Sequence, residues 1–166
     1  MSLQGLRGLS MSTTRIGAQF EKYMRWLLHN EGLKTRRNVM FHRGDRIRQI
    51  DVDYKSGIIF RKHVIVECKY VRPGTSVDFY SSYVQLGGAI LFTRSDEGIL
   101  ATNVGISHRE EKEDRYHIRI YDQEVLLRMR YGRSRHLDSL VCDMEQEIRQ
   151  MPYNPSKDHA FIHEYV

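Results

Sequence analysis

Between Arg15 and Glu31 the apolar residues Ile16, Phe20, Tyr23, Met24, Leu27 and Leu28 recur at helical spacing and form one stripe. Thr13 or Thr14 can cap this helix, and Gly32 can end it in the left-handed conformation. The period then shortens to two. Val39 to Phe41 predicts a first strand, and Ile47 to Tyr54 a second, in which Ile50, Val52 and Tyr54 alternate with polar residues. Lys55-Ser56-Gly57 marks a turn, Ile58 to Phe60 is a short apolar piece, and His63 to Tyr70 predicts a third strand around the β-branched run Val64 to Val66.

After the break at Pro73-Gly74, Ser76 is placed to cap a helix reaching Leu86 and carrying Val77, Tyr80, Tyr83 and Val84. The continuous apolar run Ala89 to Thr93 predicts a strand buried on both faces, joined to the third by a helical crossover. Ser95 suggests the start of a short helix ending before Gly105, and His108 to Arg115 a charged loop. Tyr116 to Tyr121 alternates as a strand, and Asp122 can cap a helix with Val125, Leu126, Leu127 and Met129. A last helix is expected from Leu137 to Met151. The tail from Pro152, with Phe161 and Tyr165, is expected to stay flexible or pack on a partner. This order of elements predicts an α/β fold with a mixed sheet flanked by helices.

The two central strands carry the chemistry. Side chains alternate across a strand, so Glu67 and Lys69 share a face, with Cys68 between them. If the second and third strands pair, Asp51 joins that face, sixteen positions before Glu67. Two carboxylates and an ammonium buried together are costly unless a cation or a substrate charge compensates them. Such oxygen donors suit Mg²⁺, which keeps waters and binds phosphate. The bland alternative is a surface hairpin with a cross-strand ion pair worth under about 1 kcal/mol. Gln49 shares the strand face two residues before Asp51 and could hydrogen-bond a water. Asp53, further along, becomes a ligand if the register differs. Glu21 borders the buried stripe of the first helix.

Composition narrows the class. The 166 residues suit one domain, and 40% hydrophobic with 28% charged residues suits a globular protein. No apolar run approaches the roughly 20 residues of a membrane span, and no signal sequence is recognisable, so a cytoplasmic setting is expected. Met1-Ser2-Leu3 is compatible with a vector origin and Met11 with a natural start. The eight histidines show no zinc spacing, Gly87-Gly88 lacks the phosphate-loop pattern, and no Ser or Cys nucleophile motif is present. The formal charge is +5. Arg36, Arg37, Arg43, Arg46 and Arg48 crowd the approach to Asp51, with a second cluster from Arg128 to Arg135, and such arrays favour a polyanion.

Asp51 with Glu67-Cys68-Lys69, preceded by a helix bearing Glu21, resembles the PD-(D/E)xK nuclease superfamily, whose fold is restriction-endonuclease-like. Gly87 to Thr93, and Ile118 to Asp122 leading into Val125 to Leu127, resemble the Mrr-type branch. The likeness covers about residues 15–131, read as the nuclease core, with 1–14 a tail and 132–166 a C-terminal helix and tail. It implies a Mg²⁺-dependent DNA endonuclease, with Mn²⁺ able to substitute. Asp51 and Glu67 would hold the metal with the Cys68 carbonyl, Lys69 would orient or deprotonate the attacking water, and Glu21 would serve a second metal or water. DNA is the implied partner, and a homodimer is left open. The rival reading is a nucleic-acid-binding module that kept the fold without catalysis.

Overall fold

The computed structural model describes residues 15–106, 116–133 and 136–166. The proposed caps Thr13 and Thr14 and the charged stretch His108 to Arg115 lie outside them. The amphipathic stripe forms helix α1 (Arg15–Asn30), which buries Phe20, Tyr23, Met24, Leu27 and Leu28. Gly32, at φ 81°, turns the chain into a meander of strands β1 (Thr35–Arg43), β2 (Arg46–Ser56) and β3 (Lys62–Lys69), each antiparallel to the next. Helix α2 (Phe79–Thr93) links β3 to β4 (Glu97–Thr102), and β5 (Ile118–Tyr121) follows; both strands run parallel to their inner neighbour. Helix α3 (Gln123–Tyr131), a 3-10 turn (Leu137–Leu140) and α4 (Val141–Gln150) come next. A short α5 (Pro155–Asp158) then leads to β6 (Ile162–Tyr165), parallel to β1. The sheet order is β5-β4-β3-β2-β1-β6. This is the α/β mixed sheet flanked by helices that the sequence implies.

Two cores lie on opposite faces of the sheet. One gathers Phe20, Tyr23, Met24 and Leu27 of α1 with Val52, Tyr54, Val64, Val66, Leu126 and Met144. The other packs Leu86, Ala89 and Ile90 of α2 on Val39, Phe41, Ile50, Ile65 and Leu100. Strict alternation would put Ile50 on the same side as Val52. It does not lie there, because the β1–β2 ladder passes from Arg37–Val52 to Val39–Ile50 and leaves out Asn38 and Asp51. Asn38 sits at φ 52°, the left-handed region, and its side chain donates to the Asp158 carbonyl. This irregularity reverses which side chains face which helix.

Several expectations need correction. Ala89 to Thr93 is not a strand but the final turn of α2, which Asp78 caps and a left-handed Arg94 ends. A continuous apolar run cannot by itself distinguish strand from buried helix. The glycines do not break this helix. A Cβ at Gly87 would lie 2.8 Å from the Tyr116 ring, so the small residue admits an aromatic neighbour. The segment read as a helix after Ser95 is β4, where Gly98 passes close under Ile90 and Leu86 of α2. The tail, in turn, packs on its own chain. Asp158 pairs with Lys22 at 2.7 Å and Arg37 at 3.4 Å, and Glu164 pairs with Arg36 at 2.7 Å.

Asp158→Ala should therefore cost on the order of 3 kcal/mol in urea unfolding at neutral pH, since it removes the carboxylate partner of Lys22 and leaves Arg37 only the 3.5 Å contact with Glu21, in a largely buried place. Burial alone would raise the Asp158 pKa, but the hydrogen bonds from Lys22 and the Asn154 N–H, with the charges of Lys22 and Arg37, hold it below its usual value. The difference between wild type and variant should persist at neutral pH and shrink as pH falls below about 4. An unchanged unfolding midpoint would contradict this role.

Candidate active site

The β2–β3 ladder ends at Val52–Val66, so Asp51 and Glu67 are the next positions, where the two strands part. Asp51 is thus outside the paired ladder with both neighbouring strands. The Cys68 N–H donates to Asp51 Oδ2 at 2.8 Å. Glu67 and Lys69 follow Ile65 in alternation and pair with each other, Nζ to Oε1 at 2.7 Å. Cys68 points the opposite way and packs against the α1 core. From α1, Glu21 reaches this region with only 4% of its surface exposed. Its Oε2 lies 3.5 Å from Arg37 Nε, and neither atom has a hydrogen-bond partner.

Negative charge is crowded here. Burial pushes the Asp51 carboxyl well above its usual range, Glu67 and Glu21 push further, and the Cys68 N–H and Lys69 only partly offset this. Burial likewise raises Glu21 to about 7, with Arg37 opposing and Glu67 adding to the rise. The Cys68 thiol is pushed up by burial and then by Asp51, so it stays neutral and is no nucleophile. Burial would lower the Lys69 pKa, but its bond to Glu67 and the charges of Glu67 and Asp51 raise it, which keeps the ammonium charged.

The remaining candidates scatter. Gln49 is half-buried on β2 opposite Met40. Asp53 is fully buried and satisfied by Arg36, with Nε to Oδ1 at 2.9 Å, and by His63 at 2.9 Å. Its pKa is lowered by these partners against burial, so it is a structural carboxylate rather than an open ligand. The arginines do not form one loop cluster. Arg36 and Arg37 lie on β1 in ion pairs, with only 9% of the Arg37 side chain exposed. Arg43 and Arg46 sit exposed at the β1–β2 turn. Arg48 is partly buried beside α2, where it donates to the Gln85 carbonyl and feels the Glu67 charge. In the second cluster, Arg128 pairs with Glu124 and Arg130 with Glu147; Arg135 lies outside the described residues. Strand position and distant carboxylate partners decide the placements of Arg36, Arg37 and Arg130, whereas Arg128 and Glu124 form an i,i+4 helix pair that local spacing reveals.

Among the described residues, no three His, Cys, Asp or Glu side chains are grouped to hold a metal ion. The available donors are Asp51, Glu67 and nearby main-chain carbonyls, with Glu21 behind them. Oxygen donors in a charge-crowded, half-open place fit a hard cation that retains waters, and do not fit a closed zinc cage.

No family model matches the chain, and no curated protein matches it. Among solved structures it is similar to AF1548, a protein of unknown function, at 18% identity and TM-score 0.55, over 85% of this chain and 92% of that one. That likeness shows a shared fold. Weaker similarities are to MspJI restriction endonuclease in complex with a 27-mer oligonucleotide (17% identity, TM-score 0.42) and to Can2 from Sulfobacillus thermosulfidooxidans in complex with cyclic tetra-adenylate (15%, 0.48). They cover 89% and 78% of this chain but only 34% and 35% of those proteins.

Glu21 gives a thermodynamic test. Its folded pKa, about 7, is raised, so its favourable contribution is full below about 4.5 and is lost as pH rises through 7. Glu21→Gln should make the metal-free protein more stable than wild type by on the order of 2 kcal/mol at about pH 8. The gain should fade toward about pH 5. A variant less stable at high pH would mean that the Glu21–Arg37 attraction dominates instead.

Proposed function

We propose that the protein is a metal-dependent endonuclease that hydrolyses phosphodiester bonds of DNA, in restriction, repair or junction-type processing. The observation that carries this reading is the Asp51 carboxyl, held by the Cys68 N–H where β2 and β3 part, its pKa raised by burial and then by Glu67 and Glu21, beside the Glu67–Lys69 pair. Asp51, Glu67 and the Cys68 carbonyl would hold Mg²⁺, or Mn²⁺ in its place. A bound divalent ion supplies Lewis-acid polarisation of a phosphoryl oxygen and lowers the pKa of a coordinated water.

The chain's own groups do the rest. Lys69 is charged, so it donates hydrogen bonds that orient the attacking water and offset charge building on phosphorus, in preference to removing a proton. Glu67 holds the ammonium in place at 2.7 Å. Glu21, near neutrality in its pKa and behind the carboxylate pair, is suited to accept a proton or order a water. The Mrr-type assignment keeps the Asp and Glu-x-Lys residues and the β5–α3 segment, but loses the 87–93 motif, which is helical rather than strand-forming. Both cysteines are free, in keeping with the reducing cytoplasm that we include in this proposal. Among the described residues, no helix is long and apolar enough to cross a membrane.

One observation favours a second reading. The lack of a ready three-ligand group among the described residues suits a domain that binds nucleic acid without cutting it. Cleavage assays separate the two. Wild type should nick or cut DNA with Mg²⁺ or Mn²⁺ and stop with chelator. Lys69→Ala and Asp51→Asn should each lower the rate by at least about a hundredfold while leaving the fold and DNA binding near wild type. Full activity in both variants would place the chemistry elsewhere, and no cleavage of any DNA form by wild type would favour the binding module.

A further inference from the structure

A cleft of about 470 Å³ opens beyond the end of β3, lined among others by Arg15, Gln19, Tyr70, Arg72, Pro73 and Arg149. Three of these side chains are guanidiniums and none of the lining residues is a carboxylate. Arg36, Arg37, Arg119, Arg128 and Arg130 are each paired with an acid elsewhere in the fold. Among the described residues, by contrast, Arg15, Arg72 and Arg149 have no ion pair. Arg15 instead lies over the Tyr153 ring at 5.7 Å, and Arg149 Nη2 lies 3.4 Å from the Tyr70 hydroxyl.

The cleft has firm walls. Gln19, 3% exposed, donates from its amide nitrogen to the Arg149 and Met151 carbonyls at 2.8 and 2.7 Å, which fixes the end of α4 against α1. Tyr70 donates to Glu145 at 2.7 Å and meets Phe20 edge-on. Its place in the chain is equally informative. Tyr70 directly follows Lys69 on the chain, and Gln19 precedes Glu21 by two residues on α1. Tyr70 alternates away from Lys69 and packs against the α1 core, so the cleft opens on the α1 face of the sheet. Its volume falls within the range of small-ligand sites, roughly 300–1,000 Å³, and its charge matches a phosphate.

We propose that this cleft is a phosphate subsite that grips the nucleic-acid backbone on the α1 face of the sheet. It thus specifies the substrate contact of the nuclease reading on which it rests. It also moves the decisive cations away from the Arg36 to Arg48 segment, where Arg36 and Arg37 are already paired with acids. An internal diester and a terminal phosphate share the chemistry, and oligonucleotides with and without a 5′-phosphate distinguish them.

The test uses the full chain with EDTA present, so that binding is read apart from cleavage. Fluorescence anisotropy with labelled duplex and single-stranded DNA is measured across salt concentrations for wild type, Arg72→Ala/Arg149→Ala and Arg43→Ala/Arg46→Ala. The Arg72/Arg149 pair should weaken binding at least about tenfold and flatten the log–log salt slope by about 1.4–1.8, two phosphate contacts' worth, with an unchanged melting temperature. The turn pair should change both far less. Inorganic pyrophosphate should compete for wild type and raise its melting temperature, but not that of the Arg72/Arg149 variant. Wild-type affinity and slope in a folded Arg72/Arg149 variant would overturn the subsite while leaving the nuclease reading intact. Cleavage of DNA by wild type without any pyrophosphate effect would do the same. Failure of wild type to bind any nucleic acid would overturn both.

Discussion

The burial of the Asp51 and Glu21 carboxyls where β2 and β3 part, with Glu67 adding negative charge to both, is the constraint on which the rest of the site depends. Asp51 and Glu21 are both held in places that raise their pKa, and Glu67 contributes to both shifts. A protein selected for stability alone would pair or remove such charges, since an isolated buried carboxylate is among the costlier things to fold around. Here the balance is only partial. Lys69 serves Glu67, Arg37 lies 3.5 Å from Glu21, and Asp51 has one backbone donor.

The irregular ladder explains how the strands provide this geometry. By omitting Asn38 and Asp51 from the pairing, β1 and β2 reverse their facing, so Ile50 joins the α2 core while Val52 joins the α1 core. Asp51 is the residue at which the reversal happens. A regular ladder would commit its backbone to both neighbours; the break instead places its carboxylate within reach of the Cys68 N–H. The C-terminal segment supports the same corner: Asp158 accepts from Asn38 through its carbonyl and neutralises Arg37 and Lys22 with its carboxylate. The tail thus belongs to the framework of the site.

How much of this can be read from the sequence depends on the range of the forces involved. Helix α1, strands β2 and β3, and the Asp122-capped α3 follow from local periodicity and caps, and they occur within a residue or two of expectation. That Glu67 and Lys69 share a face is legible for the same reason, since alternation on a strand is a local property, whereas Asp51 lies where the alternation of β2 reverses and is placed by its position opposite β3. Ala89 to Thr93 misleads because a short apolar run carries no period, and what makes it helical is packing against the sheet. β6 is invisible beforehand because a four-residue strand with exposed side chains is defined by its neighbour β1 alone. Arg36 and Arg37 look like free phosphate ligands until Asp53, Glu164 and Asp158 are seen beside them, more than a hundred residues away in two of the three cases.

The central proposal is that Asp51 and Glu67, with Glu21 close by, bind a divalent cation. Isothermal titration of Mn²⁺ into the purified full chain and into Asp51→Asn and Glu67→Gln measures this directly. Saturable binding by wild type, lost in both variants while their folds stay intact, is the result this account predicts. Equal Mn²⁺ binding by all three proteins, or none by wild type, would contradict it.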